Sequence, residues 1–207
     1  MPLKLMYITN RPEIAAIADS NGVDRIFLDL ELIGKVERQG HLDTVISRHS
    51  INDIVPLKSC LNNAQLLVRT NPIHDGSKEE IARVTAGGPD IVMLPFFKTK
   101  EEVRRFISYV DGRARTCLLF ETPQAVELAD EILELDGIDE VYIGLNDLHL
   151  GYRMKFMFEL LTNGTVDGLC HKFREKGIPY GFGGIASLGQ GLLPSEHVIA
   201  EHYRLGS

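Results

Sequence analysis

The chain has 207 residues, 44% hydrophobic and 25% charged, with Lys+Arg 22 against Asp+Glu 29 and a formal net charge of -7. Its basic residues are scattered singly or in pairs such as Arg104-Arg105, which excludes a stripe able to neutralise a run of phosphates, so nucleic acid is not an expected partner. Apolar runs such as Ile91–Leu94 fall far short of the roughly 20 residues that cross a bilayer, and the N-terminus has no charged segment leading into a long apolar one. The expectation is a protein that neither spans a membrane nor is secreted. Cys60, Cys117 and Cys170 are odd in number and far apart, which reads as reduced cysteines of a cytosolic protein.

In chain order, apolar runs of strand length are predicted at Leu3–Thr9, Asp24–Glu31, Gln65–Asn71, Asp90–Phe96, Thr116–Glu121, Glu140–Gly144 and Ile178–Gly183. Most lack polar alternation, as parallel strands covered on both faces do. Helical stretches separate them. Val103, Phe106, Ile107 and Val110 make one apolar stripe, Val126, Ala129, Ile132 and Leu133 another, and Pro194–Arg204 reads as a last helix. Glycines at 22, 87-88, 112, 137 and 177 fall where helices should end, and Ser77 with Glu80 and Thr99 with Glu102 have capping-box spacing. No linker or composition shift interrupts residues 1–207, so a single domain is expected.

Strict alternation of seven strands with helices is an α/β pattern that leaves two architectures, an open doubly wound sheet or a (β/α)8 barrel. A barrel needs an eighth strand directly after Ser207. The sequence therefore reads as a barrel whose eighth strand is missing from this chain, either cut short or closed by something else.

Both architectures bind ligands at the carboxyl ends of their strands. Those ends carry Thr9-Asn10-Arg11, Asp29 with Glu31, Arg69 with Asn71, Phe96-Phe97-Lys98, Glu121-Thr122, Asn146-Asp147 with His149, and Gly183-Gly184. Glu121 and Asp147 end consecutive strands. Two converging carboxylates either share a proton or hold a hard cation such as Mg²⁺ or Mn²⁺. The alternative is that they cap the helices that follow. Arg69 brings a permanent cation to the same kind of position, where it pairs with Glu31 or Glu121 or meets an enolate oxygen. A metal and an arginine together suit chemistry in which negative charge develops on oxygen as a carbon–carbon bond breaks or forms. The glycines at 181, 183, 184, 189 and 191 lack the spacing of a phosphate-binding loop, which disfavours a nucleotide-binding sheet. Met154, Phe156, Met157, Phe158, Leu160 and Leu161 are an apolar cluster that serves either the core or a subunit contact.

Five of these segments resemble the HpcH/HpaI aldolase and citrate lyase β-subunit superfamily: Asp29-Leu30-Glu31, Val68-Arg69-Thr70-Asn71, Asp90–Pro95, Phe120-Glu121-Thr122 and Ile143–Leu148. The resemblance implies a (β/α)8 TIM barrel of the phosphoenolpyruvate/pyruvate type, with Mg²⁺ or Mn²⁺ held by Glu121 and Asp147. It implies that Arg69 holds the enolate and aldehyde oxygens, that the backbone of Asn146 and Asp147 holds the substrate carboxylate, and that Glu31 and Asp29 orient metal-bound water. The substrates would be a keto acid and an aldehyde, and the assembly a homo-oligomer. Where HpcH-type aldolases carry an acid/base histidine this chain has Leu32, and where they carry a glutamine it has Leu119. His74 and His149 are the candidates to carry the proton instead. Glu37-Arg38-Gln39-Gly40, Gly181–Gly184 and Glu201–Arg204 resemble a subgroup associated with bacterial surface-polysaccharide clusters. Two functions follow: a metal-dependent carbon–carbon lyase working through a pyruvate-like enolate, or a family member without catalysis that binds a ligand or assists assembly in polysaccharide synthesis.

Overall fold

A computed structural model describes residues 3–34, 49–184 and 193–207. Within them lie β1 (Met6–Ile8), β2 (Arg25–Asp29), β3 (Gln65–Arg69), β4 (Ile91–Leu94), β5 (Arg115–Phe120), β6 (Glu140–Gly144) and β7 (Tyr180–Gly183), one for each predicted run. The helices are α1 (Pro12–Ser20), α2 (Ile54–Cys60), α3 (Ser77–Ala86), α4 (Lys100–Val110), α5 (Pro123–Glu127), α6 (Ala129–Ile132), α7 (Leu145–Gly151), α8 (Thr165–Glu175) and α9 (Ser195–Leu205). Neighbours in sequence are neighbours in the sheet. A doubly wound sheet reverses its order at a switch point; here there is no reversal, so the fold is α/β of the barrel type, with seven strands among the described residues. The resemblance segment at residues 37–40 and the glycines at 189 and 191 lie outside the described residues.

The chain divides into two compact units. The first comprises Met1–Pro95 and Glu101–Cys117. It contains β1 to β4, with Arg115 at the start of β5 donating its N–H to Asp90. Ile26, Leu28, Leu66, Leu67, Val68 and all of β4 are buried, as continuous apolar parallel strands require. The parallel register sets Phe27 beside Leu67 and Asp29 beside Arg69. Val103, Phe106 and Val110 of α4 are buried, so that stripe faces a core as its 3.6-residue period predicts. The expected capping box at Ser77 does not form. Gly76 is the N-cap of α3, and Glu80 turns to the end of β3 because Asn71 and His74 offer it donors there. Ser50 and Asp53 instead form a capping box ahead of α2.

Asp19, buried at the end of α1, accepts N–H bonds from Asn62, Asn63 and Ala64 and so ties that helix to the approach of β3. The Asn62 N–H first, then that of Ala64, holds its carboxyl below the usual aspartate range. A depressed folded pKa contributes stability that is present above the unfolded pKa and lost as pH falls through the folded one. Asp19→Asn should therefore cost about 2 kcal/mol near neutral pH. In urea titrations the gap to the parent protein should close as pH drops below the ordinary aspartate range. A gap that stays constant in acid would show that the charge contributes nothing.

The second unit comprises Phe96–Lys100 and Leu118–Ser207. It contains the end of β5 with β6 and β7, whose register sets Gly144 beside Gly183. Its core is a run of rings, Phe97 to Phe120 at 5.2 Å, Phe120 to Phe173 at 5.2 Å and Phe173 to Tyr180 at 5.9 Å. Such spacings suit edge and tilted packing of aromatic quadrupoles. The stripe predicted as one helix is divided between α5 and α6 at Leu128. Of the apolar cluster after β6, Phe158, Leu160 and Leu161 are buried, as the core reading requires. The predicted last helix is present and well tied. His202 stacks on Phe182 at 3.7 Å, the Leu205 carbonyl accepts from Arg174 and Tyr180, and Arg204 pairs with Asp167. Cys117 and Cys170 are buried, Cys60 half-buried, and none is disulfide-bonded. Burial pushes the Cys170 thiol up to about 12, which removes it as a nucleophile. Among the described residues no helix is long and apolar enough to cross a membrane.

Candidate active site

In the second unit, β5 runs apolar from Cys117 to Phe120 and then delivers Glu121, only 3% exposed. Its Oε1 accepts the Phe96 N–H at 3.0 Å. Phe96 presents that N–H from φ +49°, a left-handed conformation that a non-glycine residue adopts at a cost. Glu121 does not cap the next helix. Thr122 does so, its Oγ1 accepting from the Ala125 N–H at 3.1 Å and donating to the Phe97 carbonyl at 2.7 Å.

Gly144 ends β6 and caps α7. A Cβ built on it would lie 2.7 Å from Glu121 Oε2 and 2.9 Å from Glu121 Cβ, so the carboxylate rests in space that only glycine leaves. Asp147 sits in the first turn of α7 and is 5% exposed. Asn146 precedes it, in a turn whose N–H groups have no intrahelical acceptor. His149 follows on the same helix; its Nδ1 is buried and finds no hydrogen-bond partner among the described residues.

No trio of His, Cys, Asp or Glu side chains among the described residues is placed to hold a metal ion. Two buried carboxylates are a hard donor set nonetheless. They fit a cation such as Mg²⁺ or Mn²⁺, which takes one or two carboxylates and completes its shell with water and substrate oxygens.

In the first unit, the register of β2 and β3 explains the partner of Arg69. Side chains of laterally paired residues project to the same face, so the guanidinium meets Asp29 directly, with Nε and Nη2 each 2.9 Å from a carboxylate oxygen. Nη2 also lies 3.4 Å from Glu31 Oε2, and the guanidinium carbon is 5.3 Å from the centre of the Phe27 ring. Asp29 and Glu31 thus hold the arginine. Asp29 N–H donates to His49 Nδ1 at 3.1 Å, a contact for which the sequence carries no signal.

His74 is engaged at both ring nitrogens. Nδ1 accepts the Gly76 N–H at 3.0 Å and Nε2 meets Glu80 at 2.9 Å, which is the turn-locking role of a loop histidine. Glu80 also receives the N–H and Nδ2 of Asn71, whose Oδ1 accepts from Leu32 and Ile33. Sequence reasoning placed Asn71 at a strand end but missed this network, and it missed Phe96 and Gly144 as the supports of Glu121. Signals existed in Glu80, three residues past a serine, and in a glycine immediately ahead of Leu145-Asn146-Asp147.

The family profile of HpcH/HpaI aldolase/citrate lyase matches residues 4–157, which include Asp29, Glu31, Arg69, Glu121 and Asp147. The chain belongs to that family. It is a family of aldolases and citrate lyases. No curated protein matches the chain. Among solved structures the chain is similar to an HpcH/HpaI aldolase from Desulfitobacterium hafniense DCB-2, at 16% identity and TM-score 0.75 over 99% of this chain and 83% of that one. It is also similar to an HpcH/HpaI aldolase/citrate lyase family protein from Burkholderia cenocepacia J2315, at 12% identity and TM-score 0.70 over 98% and 83%. A third similar structure is the citrate synthase SbnG, at 13% identity and TM-score 0.70 over 97% and 81%. At such identities these likenesses concern the fold, and they agree with the barrel-type strand order.

Proposed function

We propose that the protein is a divalent-metal-dependent carbon–carbon lyase of the aldolase type, acting on a keto acid through a pyruvate-like enolate. The observation that carries this reading is the pair of buried carboxylates, Glu121 seated against the bare Cα of Gly144 and Asp147 on the turn that follows. Glu121 and Asp147 would hold Mg²⁺ or Mn²⁺. When bound, the ion supplies Lewis-acid stabilisation of negative charge on substrate oxygen.

The remaining chemistry belongs to the chain's own groups. The first-turn N–H groups of Asn146 and Asp147 suit a substrate carboxylate, since the amino end of a helix favours negative charge. Arg69 is a charged fork that Asp29 and Glu31 orient, and its role is to stabilise the enolate oxygen. Of the two histidines, His74 is set aside because both of its ring nitrogens are engaged, and His149 keeps the proton-carrying role.

The test is a calorimetric titration with Mg²⁺ and Mn²⁺, alone and with oxalate as an enolate mimic, alongside exchange of pyruvate methyl protons in D₂O. Metal binding strengthened by oxalate, with exchange that a chelator stops, is the expected result. A folded sample that binds neither ion and exchanges no protons would overturn the proposal and leave the non-catalytic binding role.

A further inference from the structure

In the second unit, β7 carries side chains on one face only. Tyr180 meets Phe173 of α8 and Phe182 stacks on His202 of α9. Alternation sends Gly181 and Gly183 to the opposite face, away from both helices. Glycine inside a strand loses conformational entropy and offers nothing to pack, so it marks a place where another group approaches closely. Here that group is Tyr142. The register sets Tyr142 beside Gly181 and Gly144 beside Gly183. A Cβ on Gly181 would lie 3.0 Å from Tyr142 Cε2, and one on Gly183 would lie 2.7 Å from both Cε1 and Oη. The half-buried ring therefore lies along β7 and carries its hydroxyl from the level of Gly181 to that of Gly183.

Glu121 sits at that same level. Tyr142 and Gly144 are two residues apart on β6 and face the same way. The space into which Gly144 would project a Cβ is taken by Glu121 Oε2, 2.7 Å away. Gly144 and Gly183 are one strand spacing apart, about 4.8 Å, so the hydroxyl over one and the carboxylate over the other occupy adjoining positions of a single face. We infer that Tyr142 is a substrate-binding residue whose hydroxyl donates a hydrogen bond to an oxygen of the keto acid, with Gly181 and Gly183 as the seat of its ring. This rests on the keto-acid site proposed above at Glu121 and Asp147. A phenol suits the position. It donates near neutral pH without carrying charge, so it neither repels the two carboxylates nor neutralises them as a lysine would. The glycines of residues 181–183 thereby gain a role that involves no phosphate.

Calorimetry tests this with Mn²⁺ first and then with oxalate added to the Mn²⁺-loaded protein. Tyr142→Phe removes one oxygen and leaves the ring on its glycines. It should weaken oxalate binding roughly 10- to 100-fold, as loss of one hydrogen bond to a charged oxygen does, and leave Mn²⁺ affinity at the parental value. Gly183→Ala puts a methyl group where Oη and Cε1 lie, so it should displace the ring and lose oxalate affinity in the same way. The two changes together should add little to either alone, because both act on one hydroxyl. A ring that only packs against β7 would leave oxalate affinity untouched in Tyr142→Phe, and that result would overturn the contact. Parental oxalate affinity in Gly183→Ala would overturn the seat. Mn²⁺ affinity falling in step with oxalate would also count against it, since the tyrosine would then act through the carboxylates. A parent protein that binds Mn²⁺ but no oxalate would instead bring down the keto-acid reading beneath, a distinct result.

Discussion

Glu121→Gln is expected to weaken Mn²⁺ binding by at least a hundredfold while leaving the fold in place. Glutamine matches glutamate in shape and keeps an oxygen that can accept the Phe96 N–H, so the hydrogen bond at 3.0 Å survives the change. What disappears is the negative charge, half of what the protein would contribute to the proposed two-carboxylate site. Loss of groups that merely orient metal ligands costs about 10- to 100-fold in affinity, and a ligand itself should cost no less. Gly144→Ala should reproduce the defect without touching a charge. Its Cβ would sit 2.9 Å from Glu121 Cβ as well as 2.7 Å from Oε2, so swinging the carboxylate aside does not relieve the clash and the residue must shift as a whole. Overpacking of this kind costs about 1–3 kcal/mol of stability, readable as a lower Tm. Because both changes act on one carboxylate, combining them should add little to the loss of metal affinity. Unchanged Mn²⁺ affinity in Glu121→Gln, measured by calorimetry on a sample with parental circular dichroism, would remove Glu121 from the site.

Arg69→Ala should lose both stability and activity, for separable reasons. Asp29 and Glu31 are 1% and 0% exposed, and the arginine lies against both. Taking away one partner of a buried ion pair costs about 3–5 kcal/mol because charge is left without compensation. Activity should fall on the order of 10²–10³-fold, as when one preorganised group that stabilises an oxyanion is removed. Arg69→Lys separates the two effects. It restores a positive charge beside Asp29 and so most of the stability, but a single ammonium cannot reproduce the two-point contact of Nε and Nη2. Pyruvate proton exchange should therefore stay low in a protein whose urea midpoint has largely recovered. Exchange at the parental rate in the lysine variant would mean that Arg69 is a structural cation and no more.

The legibility of this protein in its sequence divides along the range of the interactions involved. Strand runs such as Leu66-Leu67-Val68 and Ile91–Leu94 could be read directly, because burial on both faces demands unbroken apolar residues. Helix ends could be read where a left-handed residue is needed, as at Gly88 and Gly177, both of which have positive φ. The candidate ligands Glu121 and Asp147 were visible because each follows an apolar run at the end where α/β folds bind ligands. Local spacing misled at Ser77 and Glu80. A capping box satisfies N–H groups within one helix, but the end of β3 offered Glu80 two donors from Asn71 and one from His74, and the tertiary partners won.

By itself, then, the sequence determined the seven strands, their separation by helical segments and the polar groups at the strand ends, since these follow from periodicity and turn chemistry over a few residues. Alternation alone allowed a barrel-type or a doubly wound order, between which the family resemblance favoured the barrel, and it left open which partner each charged group would take. The tertiary structure bore out the first and decided the second. Strand order depends on how crossovers pack, and the register that sets Asp29 beside Arg69 joins residues 40 apart in the chain. The clearance between Gly144 and Glu121 likewise exists only once two strands are brought side by side, where the presence of a single Cβ would close it.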